Sequence, residues 1–437
     1  MPRSIVNQDY LNFAPRFGFA YSLSQNGKSS LHGGYGIFYF PDYGGISNQL
    51  GQQPPYGGSV NYLANNGYCI TFTGQLATHS GAYNCSGYTS PATVTTALPA
   101  PGFPNFNPNS PPQGLSGLAV DQNNKHAREQ EYNLQFQQQL GNRDVVSIAY
   151  VGVASDRLSS YYNLNTWYFN TPTEPFENLG GITLNEYNGI SNYNAIQTHF
   201  EHRSNSLLVT GSYTFSKALD DSPGAFEGST VSVANNPLLN YGNSNQDVKH
   251  NASLSAVYNL PFGHGMKYFG GANRAEELAA GGWQLNLITL LASGQPLDLS
   301  TNGSAAPGNR PDKAGPLTYP KQINGSWFNT ASFTQMTIPT IQSTDGKNQA
   351  VYTRVGTAGR NEVFGPSSRV VNFGIQKNLH LTERFTLELH GDAFNVLNTP
   401  QFANPGGSYS NTATFGEVTA LKSNTSRQIQ LASRLTF

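Results

Sequence analysis

Apolar and polar residues alternate with a period of two along most of this chain, and the 3.6-residue period of an amphipathic helix is almost nowhere found. In residues 384–394, Phe385, Leu387, Leu389, Gly391 and Ala393 fall on one face, opposite Thr386, Glu388, His390 and Asp392. The end of the chain repeats this, with Ile429, Leu431, Leu435 and Phe437 opposing Gln428, Gln430, Arg434 and Thr436. The pattern predicts eleven strands near residues 14–22, 30–40, 129–139, 144–154, 193–203, 207–217, 248–260, 282–293, 368–377, 384–396 and 427–437. Most run about 9–13 residues. Strands of globular proteins centre on about 5–6, whereas membrane-crossing strands need about 9–11 at a tilt. Strand length therefore favours an all-β, antiparallel transmembrane β-barrel over a sandwich.

The connections alternate in length. Those near residues 26–28, 141–143, 204–206 and 378–383 are short; those over 41–128, 155–192, 218–247, 294–367 and 396–426 are long, and 261–281 is intermediate. Short periplasmic turns and longer extracellular loops are the pattern of outer-membrane barrels. That orientation ends the last strand in the periplasm. It sets Tyr21, Tyr258, Trp283 and Phe385, with Phe437, at the periplasmic interface as an aromatic girdle. An odd strand count ending in the periplasm must begin outside, so the chain is expected to start partway through a barrel, or else a strand is missed in a long connection.

Composition agrees. Only 11% of the 437 residues are charged, against about 25% in ordinary soluble domains. A Lys or Arg facing lipid at mid-membrane costs roughly 2–4 kcal/mol, and a barrel lumen can use amides and hydroxyls instead. A net charge of −1 gives no basic footprint for nucleic acid, and 12% aromatic residues is a poor fit to disorder. No run approaches the roughly 20 apolar residues of a membrane helix. The start, from Met1 to Asp9, has no apolar core of a signal peptide. Cys69 and Cys85 lie in one Gly/Asn/Thr-rich stretch; a local disulfide in an oxidising compartment is the favoured reading, two free thiols the other.

Several motifs then resemble one family in order and spacing. Phe13-Ala14-Pro15-Arg16-Phe17-Gly18-Phe19-Ala20-Tyr21 with Leu31-His32-Gly33-Gly34-Tyr35-Gly36 resembles a strand pair of Oar-like TonB-dependent outer-membrane receptors. So do Tyr213-Thr214-Phe215-Ser216-Lys217-Ala218-Leu219-Asp220, Asp247-Val248-Lys249-His250 and Leu260-Pro261-Phe262-Gly263. Gly281-Gly282-Trp283, Ser293-Gly294-Gln295-Pro296, Ala358-Gly359-Arg360-Asn361 and Ala393-Phe394-Asn395-Val396-Leu397-Asn398 follow. The closing strand, with Leu435 and Phe437, resembles an outer-membrane assembly signal, which implies the barrel assembly machinery as a partner. The resemblance implies that residues 1–437 are the C-terminal part of a receptor barrel, half of its 22 strands, with 41–128 and 294–367 as long extracellular loops. Plug, signal peptide and N-terminal strands stand outside this sequence. Transport of a ligand driven through TonB and that plug is implied only for the parent protein.

No G-x-S-x-G elbow, H-E-x-x-H, Walker loop or EF-hand loop is present. His199 and His202 fall on opposite faces of a strand and cannot share a metal. Glu388, His390 and Asp392 form the best polar constellation, read as a solvated hydrogen-bonding row in the lumen rather than a catalytic site. The expectation is no enzyme, no cofactor, no metal and no nucleic acid, with outer-membrane lipid and an unidentified ligand as partners at the cell outer membrane. The alternatives are a structural or adhesive barrel, an incomplete fragment without independent activity, or a secreted sandwich enzyme acting on polysaccharide.

Overall fold

The computed structural model describes residues 9–40, 115–165, 179–221, 237–301, 310–337, 354–382, 384–423 and 425–437, with Asn7, Phe176 and a few short strand segments elsewhere. The period-two pattern becomes one antiparallel sheet whose main path follows the chain through eleven strands, each hydrogen-bonded to the next. These are β1 Arg16–Ser22, β2 Ser29–Phe40, β3 Ala127–Leu140, β4 Asp144–Asn163, β5 Leu179–Arg203, β6 Leu207–Asp220, β7 His250–Asn259, β8 Trp283–Ala292, β9 Ser368–His380, β10 Thr386–Phe394 and β11 Gln428–Thr436. Two short strands join off this path, giving 13 in the sheet: Leu115–Val120 runs parallel to β5, and Gly242–Asn243 pairs with the end of β6.

Register decides which side chains share a face, because residues opposite each other in an antiparallel pair point the same way. One row crosses seven strands as Phe19, Gly33, Leu134, Tyr150, Ile196, Phe215 and His250. The row beside it, facing the other way, runs Ala20, His32, Gln135, Ala149, Gln197, Thr214 and Asn251. The rest of the sheet continues the division: Leu207, Tyr258, Leu285, Ile375, Gly391 and Leu431 form one row. Asn259, Gln284, Gln376, His390 and Ala432 form its polar counterpart. Ile288 and Leu290 of β8 depart from this rule and lie on the polar face.

The apolar face is not covered by the described residues. Ile148, Phe215, Ile375 and Leu431 all remain exposed, and a continuous apolar surface of this kind does not persist in water. Phe19 drapes its ring over Gly33, where a Cβ would lie 2.4 Å from a ring carbon. That close approach explains a glycine within the Gly33-Gly34-Tyr35-Gly36 cluster of β2.

All eleven predicted strands are present, but β4 and β5 are much longer than their pattern indicates, at 20 and 25 residues. Most of the expected loop over 155–192 is therefore hairpin. A register irregularity after Ser155, with Arg157 at φ 58°, marks where the hairpin changes character. Beyond it Ser159, Ser160, Tyr162 and Asn185 are buried, Asn185 Nδ2 donating to Ser159 Oγ at 2.6 Å. A strand covered by polar neighbours has no apolar–polar alternation to read.

The sheet is open: β1 and β11 are its two edges, and both are exposed along their whole lengths. The intermediate connection holds a short α-helix, Arg274–Ala280, started by a capping box in which Asn273 accepts from Glu276 N and Glu276 accepts from Asn273 N. No helix among the described residues is long and apolar enough to cross a membrane. Much of 41–128, including Cys85, lies outside the described residues, and so does any Cys69–Cys85 pairing.

Candidate functional site

Among the described residues, the hydrophobic core lies in the long loops rather than on the sheet. Leu299, Trp327, Phe328, Phe333, Ala358, Val363, Phe415 and Val418 form one buried cluster drawn from the connections after β8 and β10. Phe328 meets Phe333 and Phe415 edge-on, with ring centroids 5.8 and 5.4 Å apart, the arrangement aromatic quadrupoles prefer. The Trp327 indole donates to Phe364 O at 2.8 Å, satisfying its one polar atom. Gly294 enters this cap so close to Gly365 that a Cβ would sit 1.8 Å from the Gly365 carbonyl oxygen.

Polar contacts, several of them buried, tie the cap to the long-loop end of the sheet. Arg360 donates to the Asp220 backbone carbonyl at 2.7 Å and also pairs with the Asp220 carboxylate at the end of β6. The Asn361 amide donates to Asn243 O at 2.8 Å and to Asn245 Oδ1 at 2.6 Å, and Asn243 donates back to Asn361 O. Lys217 Nζ reaches Asp247 Oδ2 at 2.7 Å, while Asp247 Oδ1 accepts from Ala218 N at 2.8 Å. Arg310 donates to Asn240 Oδ1 and Leu239 O, and burial pushes its guanidinium below the usual arginine range. Arg354 grips Asp312 through two hydrogen bonds of 2.6 and 2.8 Å and holds that carboxyl below its ordinary value. The result is a polar-bound cap seated on one end of a sheet with one apolar and one polar face.

The whole pattern then matches a known architecture. A family model described as "Outer membrane beta barrel domain" matches residues 1–430. The chain belongs to that family. It is an outer-membrane protein, and the apolar face of its sheet is the face that meets lipid.

Solved structures resemble the chain at low identity. The outer membrane transporter YddB from Escherichia coli aligns with a TM-score of 0.50 and 11% identity, over 99% of this chain and 41% of that one. The FrpB iron transporter from Neisseria meningitidis aligns at 0.42 and 9%, over 96% and 38%. The siderophore receptor PiuA from Acinetobacter baumannii aligns at 0.38 and 10%, over 96% and 35%. The chain spans about two fifths of the length of these structures. No curated protein matches it.

Within the barrel sheet the residues singled out by sequence fall as follows. Tyr21 pairs with Leu31, Tyr258 with Leu207 and Leu285, and Trp283 with Lys377, all on the lipid face near the short turns. Lys377 Nζ lies 4.9 Å from the Trp283 ring centroid. Phe385 immediately precedes β10, Leu435 pairs with Leu387, and Phe437 is exposed past the end of β11. Glu388, His390 and Asp392 share the polar face, with His390 Nε2 3.7 Å from Glu388 Oε2. They stand opposite Asn378, Gln376 and Gly374 on one side and Arg434, Ala432 and Gln430 on the other. His199 and His202 point to opposite faces; His202 pairs with Asp144 at 2.7 Å.

Sequence reasoning did not single out Arg360, Asp220, Asn361 or Asp247 as partners, yet each sits in a motif quoted above. The motifs ending in Asp220, opening with Asp247 and closing with Arg360-Asn361 meet in a single polar knot. A second motif works locally: Asn395, at φ 47°, ends β10 by accepting from Thr399 N and donating to Thr399 O and Thr425 O.

Proposed function

We propose that this chain is the C-terminal part of the barrel of an Oar-like TonB-dependent outer-membrane receptor, which passes or binds a ligand through extracellular loops. Residues 1–437 supply eleven of 22 strands. Energy reaches the parent protein through TonB acting on a plug outside this chain. The observation that carries the reading is an open eleven-strand sheet with a compact cap seated at its long-loop end. Both sheet edges are free to pair, and about two fifths of the YddB length aligns with almost the whole chain. In this reading Tyr21, Tyr258, Trp283 and Phe385 form the periplasmic girdle, Leu435 and Phe437 the assembly signal, and Glu388, His390 and Asp392 a lumen row. Loop residues of the cap supply ligand contacts, because loops held on a rigid scaffold carry recognition.

Two measurements test it. An antibody against this chain should detect, in outer-membrane fractions, a product well above 47.2 kDa that crosslinks to TonB in intact cells. A product of the chain's own mass with no TonB crosslink refutes the receptor reading. For orientation, Thr318→Cys in the cap and Gln25→Cys in the first short turn are compared in a background with Cys69 and Cys85 changed to Ser. Only the first should react with an impermeant maleimide on whole cells.

A further inference from the structure

An open cavity of about 460 Å³ lies on the lipid face of the sheet, where β6, β7, β8 and β9 reach the long-loop end. Its floor is one cross-strand row, Tyr213, Ala252, Leu291 and Arg369, successive partners in register. Tyr213 and Leu291 are exposed, so the floor is an apolar strip ending in a cation. His250 closes the cavity beside it, its Nδ1 2.8 Å from the Tyr213 hydroxyl and its ring 5.2 Å from Phe215. Lys249 extends over the same Phe215 ring, with Nζ 5.9 Å from the centroid. The Arg369 backbone is pinned by Gln401, which accepts from Arg369 N at 2.9 Å and donates to Arg369 O at 2.6 Å.

Two cations and a histidine thus stand together at the long-loop end of the apolar face, and no carboxylate pairs with Arg369 or Lys249 among the described residues. Their height explains their tolerance. A strand rises about 3.3 Å per residue, or about 2.5 Å of height at a barrel tilt of roughly 40°. Climbing β8 from Trp283 to Ser293 therefore crosses about 25 Å, the full height of an apolar band. Arg369, Lys249 and His250 stand at its upper boundary, where lipid headgroups begin.

The geometry points to a binding site for a phosphorylated lipid in the leaflet beside the long loops. Its phosphate meets Arg369, Lys249 and His250, and an acyl chain lies along Leu291 and Ala252. Arginine and lysine match phosphate oxygens by charge-assisted hydrogen bonds, and the strip below accepts hydrocarbon without exposing it. The inference rests on the barrel reading for which leaflet it faces, but requires neither TonB nor a transported ligand.

The test uses the full chain in neutral detergent micelles, titrated with phosphatidic acid or with phosphatidylcholine of the same chain length and read by native mass spectrometry. Phosphatidic acid should bind at least tenfold more tightly. Arg369→Gln combined with Lys249→Gln should reduce it to the phosphatidylcholine level, whereas Arg369→Lys should retain binding. Inorganic phosphate should not displace the lipid. Equal affinity for the two lipids, undiminished binding by the double variant, or displacement by phosphate alone overturns the proposal. Because Arg369→Lys removes the same side chain while keeping its charge, its failure to bind while still folded also counts against a charge-based site. Loss of TonB crosslinking would leave a positive lipid result standing.

Discussion

Arg360 and Asp220, 140 residues apart in sequence, are joined by a buried ion pair at the outer end of β6. The guanidinium also takes the Asp220 backbone carbonyl, so one side chain fixes both the end of a barrel strand and the fold of the cap. Removing one partner of such a buried pair leaves the other charge without compensation, a loss of about 3–5 kcal/mol. Arg360→Met should therefore release the cap while leaving the sheet intact. Protease cleavage within 310–337 should accelerate, with unchanged heat-modifiable gel mobility.

The cap core should behave as a separate cooperative unit. Phe328 is fully buried against Phe333 and Phe415. Its replacement by Ala should cost about 3–5 kcal/mol of cap stability. Hydrogen exchange should rise across the residues that follow β8 and β10 and stay unchanged in β1 to β4.

Asp221 gives the junction a dependence on pH. It is buried just past β6; Oδ1 accepts from Ile190 N at 2.8 Å and Oδ2 has no partner among the described residues. Burial, against the smaller opposing effect of that hydrogen bond, pushes its carboxyl up to about 6. A raised folded-state value favours the protonated form. This group's contribution is therefore fully present below about pH 4, declines as pH rises from about 4 to about 6, and is constant above, at most about 3 kcal/mol in all. Asp221→Asn should flatten that slope, measured as the cap's unfolding midpoint against pH.

The two faces of β7 should differ sharply in tolerance. Leu254 lies on the lipid face and Ser255 on the polar face, one residue apart near the middle of the strand. Leu254→Arg should cost roughly 2–4 kcal/mol of barrel stability, and Ser255→Arg much less. Urea unfolding from lipid vesicles distinguishes them; equal costs would reverse the assignment of faces.

The strands were legible because a sheet between lipid and a polar interior must alternate, and residues 384–394 display that alternation without interruption. Legibility fails where the environment changes. The outer halves of β4 and β5 leave the lipid and pack Ser160, Tyr162 and Asn185 among polar neighbours, so the period vanishes although the strand continues. Ile288 and Leu290 mislead in the opposite sense, since apolar residues also occupy the polar face. The polar knot was visible only as scattered motifs; no local rule pairs Arg360 with Asp220 or Asn361 with Asn243.

What the sequence by itself determined is the all-β class, the order of the eleven strands on the sheet's main path and the face most of their side chains take, because these follow from a local period. Which long segments pack together, and where charges are neutralised, was decided only by tertiary structure. Phe328 finds Phe415, and Arg369 joins one row with Tyr213, only once the strands between them are set in register. Contacts of that range depend on the cumulative stagger of several strands, and no window of sequence contains it.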